Sequence, residues 1–155
     1  MSFPFLALAR PLGAEDRRRI SSAVQSLLTF QRTLQGFPAL PAAPDGTPFV
    51  SLYAGGALRG CFGSGEGPPG ERLARAFLRA LEDTRFGGVR AHERGALTAQ
   101  VSYPRDPRPV AFEQAAAQIE PGTHGAALQL PRASPVLLLP QAARDERLRQ
   151  RRSIS

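Results

Sequence analysis

Phe49-Val50-Ser51-Leu52-Tyr53-Ala54-Gly55-Gly56-Ala57-Leu58-Arg59-Gly60-Cys61-Phe62-Gly63 is the stretch on which the fold turns. Phe49 to Tyr53 is rich in aromatic and branched residues and is β-prone. Gly55-Gly56 can supply the positive φ angles of a tight hairpin turn. A second strand then runs from Leu58 to Gly63. The pattern predicts a hairpin with Cys61 on, or just after, its second strand.

Upstream, residues 14–34 predict an amphipathic helix, because Ile20, Val24, Leu27, Leu28 and Leu34 recur at helical spacing. Glu15 and Asp16 suit its positive N-terminal end, and Gly36 is a stop signal. Residues 37–48 carry four prolines and read as an irregular connection. Downstream, 64–70 is a Gly- and Pro-rich loop. Residues 71–83 form a second helix with Leu73, Phe77, Leu78 and Leu81 on its apolar face. Residues 84–95 are a Gly-containing connection, and 97–103 alternate as a half-buried strand. The three prolines in 104–109 mark a loop, 110–119 a short helix, and 125–130 and 135–139 two further strands. No internal repeat or linker interrupts the chain. It reads as a single domain over 1–143 followed by an Arg-rich tail over 144–155.

The composition closes several classes of chemistry. All twenty basic residues are Arg, so Schiff-base lysine chemistry and a P-loop lysine are excluded. One Cys forbids an internal disulfide, and one Cys with two His cannot complete a four-ligand zinc site. Cys61 with His92 and His124 lacks a recognisable metal-ligand spacing, and the glycines lack a phosphate-loop fingerprint, so no metal or cofactor is expected. The net charge of +7 is unevenly placed. The tail holds five Arg against Asp145 and Glu146, and a second cluster, Arg17-Arg18-Arg19, directly follows Glu15 and Asp16. No long basic run is interleaved with aromatics, which argues against nucleic-acid binding. Met1 to Leu8 lacks the charged start of an export signal, and no stretch has the length of a membrane span, so a cytoplasmic location is expected.

Two Gly-flanked residues stand out as reactive candidates. Cys61 lies between Gly60 and Gly63, which let a ligand or another backbone approach closely. Arg59 shares its strand face at i−2, where a guanidinium favours the thiolate. His124 sits between Gly122 and Gly125 at a strand entrance. A free Cys is more often a small buried hydrophobe, and a turn His is often a hydrogen-bonded structural residue. Glu82 and Asp83 close the second helix against its dipole, which points to a specific partner such as Arg85.

Several segments, in order, resemble one family. They are Phe49-Val50-Ser51-Leu52, Leu58-Arg59-Gly60-Cys61-Phe62-Gly63, Asp83-Thr84-Arg85-Phe86, Val101-Ser102-Tyr103, Ile119-Glu120-Pro121-Gly122-Thr123-His124-Gly125 and Leu137-Leu138-Leu139-Pro140-Gln141. From about residue 14 to 143 the chain is similar to the AMMECR domain. The resemblance implies an α+β fold, with a mixed or largely antiparallel sheet flanked by helices, often in two unequal lobes, and a cleft near the Cys motif. It also implies association with a Memo-like or a radical-SAM protein in microbes. It supplies a fold more readily than a reaction.

The chain departs from the family pattern at Phe62, Thr84, Gly87-Gly88 and Thr123, where Ile, Pro, Pro-Pro and Lys are usual. It also has no Trp, and the family's Trp-containing C-terminal segment is replaced by the Arg-rich tail. The expectation is a divergent, C-terminally shortened member, with the missing surface covered by a partner or by a second copy in a homodimer.

Two functions follow as expectations. In the first, the protein is an enzyme acting on a small or peptide-borne group in a modification pathway. Cys61 is its nucleophile, His124 its acid/base, and Arg59, Gly60, Gly63 and Arg85 bind the substrate. In the second, the same cleft is a non-catalytic binding or adaptor site for a peptide, a protein or an anionic ligand.

Overall fold

The computed structural model describes residues 4–8, 13–33, 44–120, 123–128 and 136–138. In chain order the elements are β1 (Pro4–Leu8), α1 (Ala14–Thr33), β2 (Phe49–Ala54), β3 (Ala57–Gly63) and α2 (Pro69–Leu81). Two 3₁₀ turns follow, Thr84–Phe86 and Ala91–Ala96, then β4 (Thr98–Ser102), β5 (Arg105–Pro109), α3 (Phe112–Gln118), β6 (His124–Leu128) and β7 (Val136–Leu138). The fold is α+β, and the strand pairs among the described residues are antiparallel. The chain divides into two compact units, one of Pro11–Tyr103 and one of Met1–Arg10 with Pro104–Ser155.

The Pro11–Tyr103 unit is built on a three-stranded sheet in the order β3-β2-β4. The hairpin forms where the sequence places it, with Gly55 at φ 55° and Gly56 at φ 79°. Both angles lie where an L side chain is strained, which is why two glycines stand there. Val50 and Leu52 of the central strand are fully buried. They pack against Ala23 and Leu27 of α1 and against Leu73, Ala76, Phe77 and Ala80 of α2. Each such Leu, Val or Phe contributes about 1.5–3 kcal/mol by leaving water. Val24 and Ile20, one turn and two turns back from Leu27 along α1, pack on Tyr103 just beyond β4.

α2 begins at Pro69, two residues before the expected start. The proline that signals a loop in the sequence occupies the first helical turn, where its fixed φ fits and its missing N–H is not needed. The connection 84–95 contains two 3₁₀ turns in place of featureless coil.

The other unit holds a four-stranded sheet in the order β5-β1-β6-β7. Two of its strands correct the sequence reading. Pro4–Leu8, read only as an apolar start too short for export, pairs with both β5 and β6. Residues 105–109, expected to be loop, form β5 despite Pro107 and Pro109. β5 lies at the sheet edge, the one place where a residue without an N–H costs the ladder little. Among the described residues, Val110 and Ala115 form a core cluster with Ile119. The expected strand ends at 129–130, 135 and 139, and the tail 144–155, lie outside the described residues. Among the described residues no helix is long and apolar enough to cross a membrane.

Candidate functional site

The Cys motif is organised by a contact that needs Gly60. A Cβ on Gly60 would collide with the carbonyl oxygen of Ala80, so only glycine lets the C-terminal end of α2 lie against β3. That approach delivers Asp83, two residues past the helix, onto the strand. Asp83 Oδ2 accepts the N–H of Cys61 at 2.9 Å, and Oδ1 accepts the N–H of Arg85 at 3.1 Å. The Asp83 side chain is only 4 % exposed. Gly63 is constrained in a similar way, because the ring of Phe49 occupies the space a Cβ would need.

Arg85 then closes the cluster. Its Nε donates to Asp83 Oδ1 and its Nη2 to Asp83 Oδ2, both at 2.9 Å. The same Nη2 donates to the carbonyl of Cys61 at 2.7 Å. The guanidinium carbon lies 5.5 Å from the centre of the Phe86 ring. Among the described residues, Nη1 makes no hydrogen bond, although the side chain is 67 % exposed. Phe62 and Phe86, each 39 % exposed, are the exposed large apolar side chains among the described residues, and Phe86 is the one that lies by the guanidinium.

The electrostatics follow from these contacts. Burial by itself would push the Asp83 carboxyl up. The Arg85 guanidinium and the N–H groups of Cys61 and Arg85 outweigh it and hold the carboxyl below its ordinary value. Cys61 behaves oppositely. Burial pushes its thiol up, against the hydrogen bond that Ser51 Oγ donates to Sγ at 3.3 Å and against the charge of Arg85, while Asp83 adds to the rise. The site therefore favours a neutral thiol.

Arg59 serves another partner. Its Nε and Nη2 donate to Glu93 Oε1 at 2.9 and 2.7 Å, and the N–H of Arg90 donates to Glu93 Oε2 at 2.9 Å. The Arg59 guanidinium, first, and the Arg90 N–H hold the Glu93 carboxyl below its ordinary value. A register shift between Leu52 and Tyr53 leaves Arg59 as the extra residue of β3, off the simple alternation that places i and i+2 on one face. The charges acting on the thiol come from Arg85 and Asp83.

His124 belongs to the other unit, at the start of β6 opposite Leu8. Its Nδ1 accepts the N–H of Glu120 at 3.0 Å, and its own N–H donates to the Glu120 carbonyl at 2.9 Å. It closes the turn into β6. His92 is exposed in the second 3₁₀ turn. Among the described residues no three His, Cys, Asp or Glu gather as metal ligands.

Of the sequence candidates, the structure brings together Cys61, Gly60 and Arg85. It adds Asp83, whose position against the dipole of α2 points to Arg85 as its partner. It also adds Ser51 and Phe86, whose sequence signal is their place in the segments that carry the family resemblance, while Glu93 takes Arg59 elsewhere.

The AMMECR1 family model matches residues 11–155. The match continues through residues 144–155, which the sequence reading set apart as a tail. No curated protein matches the chain.

Proposed function

The chain belongs to the AMMECR1 family, and from that premise we propose that it is a binding module that holds an oxygen acceptor of a peptide or protein at Arg85. The observation that carries this reading is the way the guanidinium is fixed. Asp83 grips one edge, the Cys61 carbonyl takes a further N–H, and Phe86 lies beside its plane. The Nη1 edge remains for a carboxylate or carbonyl oxygen. A guanidinium already held in one geometry loses little freedom when it binds, which is the main source of affinity in a small site. Exposed Phe86, beside the guanidinium, offers apolar contact to a neighbouring side chain of the ligand. By the family resemblance, a Memo-like or radical-SAM protein is the partner to try first.

A thiol-dependent enzyme built on Cys61 is the competing reading, supported by the Ser51 hydrogen bond to Sγ and the nearby Arg85 charge. The raised thiol and the commitment of His124 Nδ1 to Glu120 favour the binding module.

An array of short peptides, each with a free or an amidated C-terminus and with aromatic or polar side chains, tests the proposal. Arg85→Ala is expected to weaken the best binders about tenfold, the loss of one charge-assisted hydrogen bond. Cys61→Ala is expected to leave binding largely intact. Binding that survives Arg85→Ala, or that disappears with Cys61→Ala while the fold is retained, overturns the proposal.

A further inference from the structure

The sheet edges of this protein are protected unequally. At the β3 edge, the outward N–H and C=O of Cys61 are taken by the Asp83 carboxylate and the Arg85 guanidinium, which stand where a neighbouring strand would lie. At the β5 edge, Pro107 and Pro109 lack N–H groups, and exposed Arg108 adds charge. Proline, charge and covering groups are the devices by which natural proteins keep edges from pairing. β4 forms the other edge of the β3-β2-β4 sheet and, among the described residues, shows none of them: Thr98-Ala99-Gln100-Val101-Ser102 contains neither proline nor charge.

The phase of the ladder fixes which groups of β4 face outward. Ser64 donates to the Pro48 carbonyl, and the Cys61 groups point away from β2, so Val50 and Leu52 bond toward β3. By alternation, Phe49, Ser51 and Tyr53 bond toward β4, opposite Ser102, Gln100 and Thr98. Ala99 and Val101 therefore turn their N–H and C=O groups to the open side. Among the described residues, no hydrogen bond is made to these groups from that side.

We propose that β4 is a dimerisation strand, pairing antiparallel with β4 of a second copy about a two-fold axis through Gln100. The sequence of the strand is self-complementary in this register. Ala99 meets Val101 of the second copy and Val101 meets its Ala99, so each pair exchanges the outward N–H and C=O groups. Their side chains extend the apolar face that packs on the helices. On the opposite face, Gln100 meets Gln100, pairing amide with amide, and Thr98 lies opposite Ser102. Thr98 and Gln100 are exposed on the single chain. This self-match is what selects a second copy over an unrelated extended peptide. The resulting sheet ends at β3 on both sides, where Asp83 and Arg85 stop further growth, so the assembly closes as a dimer.

Sedimentation equilibrium on the full chain, with Gln100→Lys, Gln100→Glu and their equimolar mixture, tests the proposal. The wild type is expected at twice the chain mass at high micromolar concentration. Each single variant sets like charges against each other on the axis and is expected to raise the dimer dissociation constant about tenfold or more. The mixture is expected to recover the dimer as a Lys–Glu heterodimer, a result that misfolding of either variant does not produce. A wild type that stays monomeric overturns the proposal. So does a dimer insensitive to both substitutions, or a mixture that shows no recovery while each variant keeps the wild-type circular dichroism spectrum.

Discussion

Asp83 is a buried carboxylate with four hydrogen bonds from two residues, and its ionisation is linked to folding. Its pKa is lower in the fold than in the unfolded chain. Its contribution is therefore complete above the ordinary carboxylate value and is lost as pH falls through the lowered one. Acid denaturation is expected to begin below about pH 4. Asp83→Asn is expected to flatten that slope in urea titrations, with Glu93 supplying part of what remains. At neutral pH, Asp83→Ala is expected to cost about 2 kcal/mol, because it leaves the Cys61 N–H unpaired and frees Arg85. Cys61 carries the opposite sign. Its raised thiol pKa means that stability is complete below the ordinary thiol value of about 8.5 and declines as pH rises toward the folded value. Alkylation of the native protein at neutral pH is expected to be slower than that of a free cysteine. A rate at or above that of the free thiol at the same pH would overturn the neutral-thiol assignment.

At the scale of elements, the contact between β3 and the end of α2 decides whether the site exists. Gly60 has an ordinary negative-φ strand backbone, so its requirement is one of space: the Ala80 carbonyl occupies the position of a Cβ. Gly60→Ala is expected to destabilise by about 1–3 kcal/mol through forced displacement of α2. It should also disturb Asp83 and Arg85, visible as amide chemical-shift changes at both residues. Unchanged shifts there would contradict the coupling of helix position to site geometry. The hairpin was legible because its turn chemistry is local. β5 was not, because its prolines argue against a strand unless that strand lies at an edge, and edge position is a property of the assembled sheet. The same holds for Pro69, a loop signal that becomes a helix-start signal only once the helix is seen.

For the molecule as a whole, the buried apolar side chains among the described residues include a cluster centred on β2. Val50 and Leu52 pack with residues of two helices, and Val110, Ala115 and Ile119 form a separate cluster among the described residues. Hydrogen exchange on the full chain is expected to show its slowest amides in β2 and its immediate partners, with earlier exchange in α3 and β6. Uniform protection across both units would refute this ranking. The basic charge also changes meaning at this scale. Arg59, Arg75 and Arg85 are paired with Glu93, Glu66 and Asp83, and Arg18 and Arg19 with Glu15, so much of the described Arg complement is engaged within the molecule.

The sequence by itself determined the hairpin, the two long helices, the lack of lysine chemistry, and the family. Each rests on local spacing or on the presence of a residue type, and neither requires distant parts of the chain to meet. Tertiary structure decided the partners. Arg59 on the thiol's own strand goes to Glu93, while Arg85, 24 residues away, reaches the Cys61 carbonyl. Hydrogen bonds and charges act over a few ångströms of space, and only the packing of α2 on Gly60 fixes which side chains come within that range.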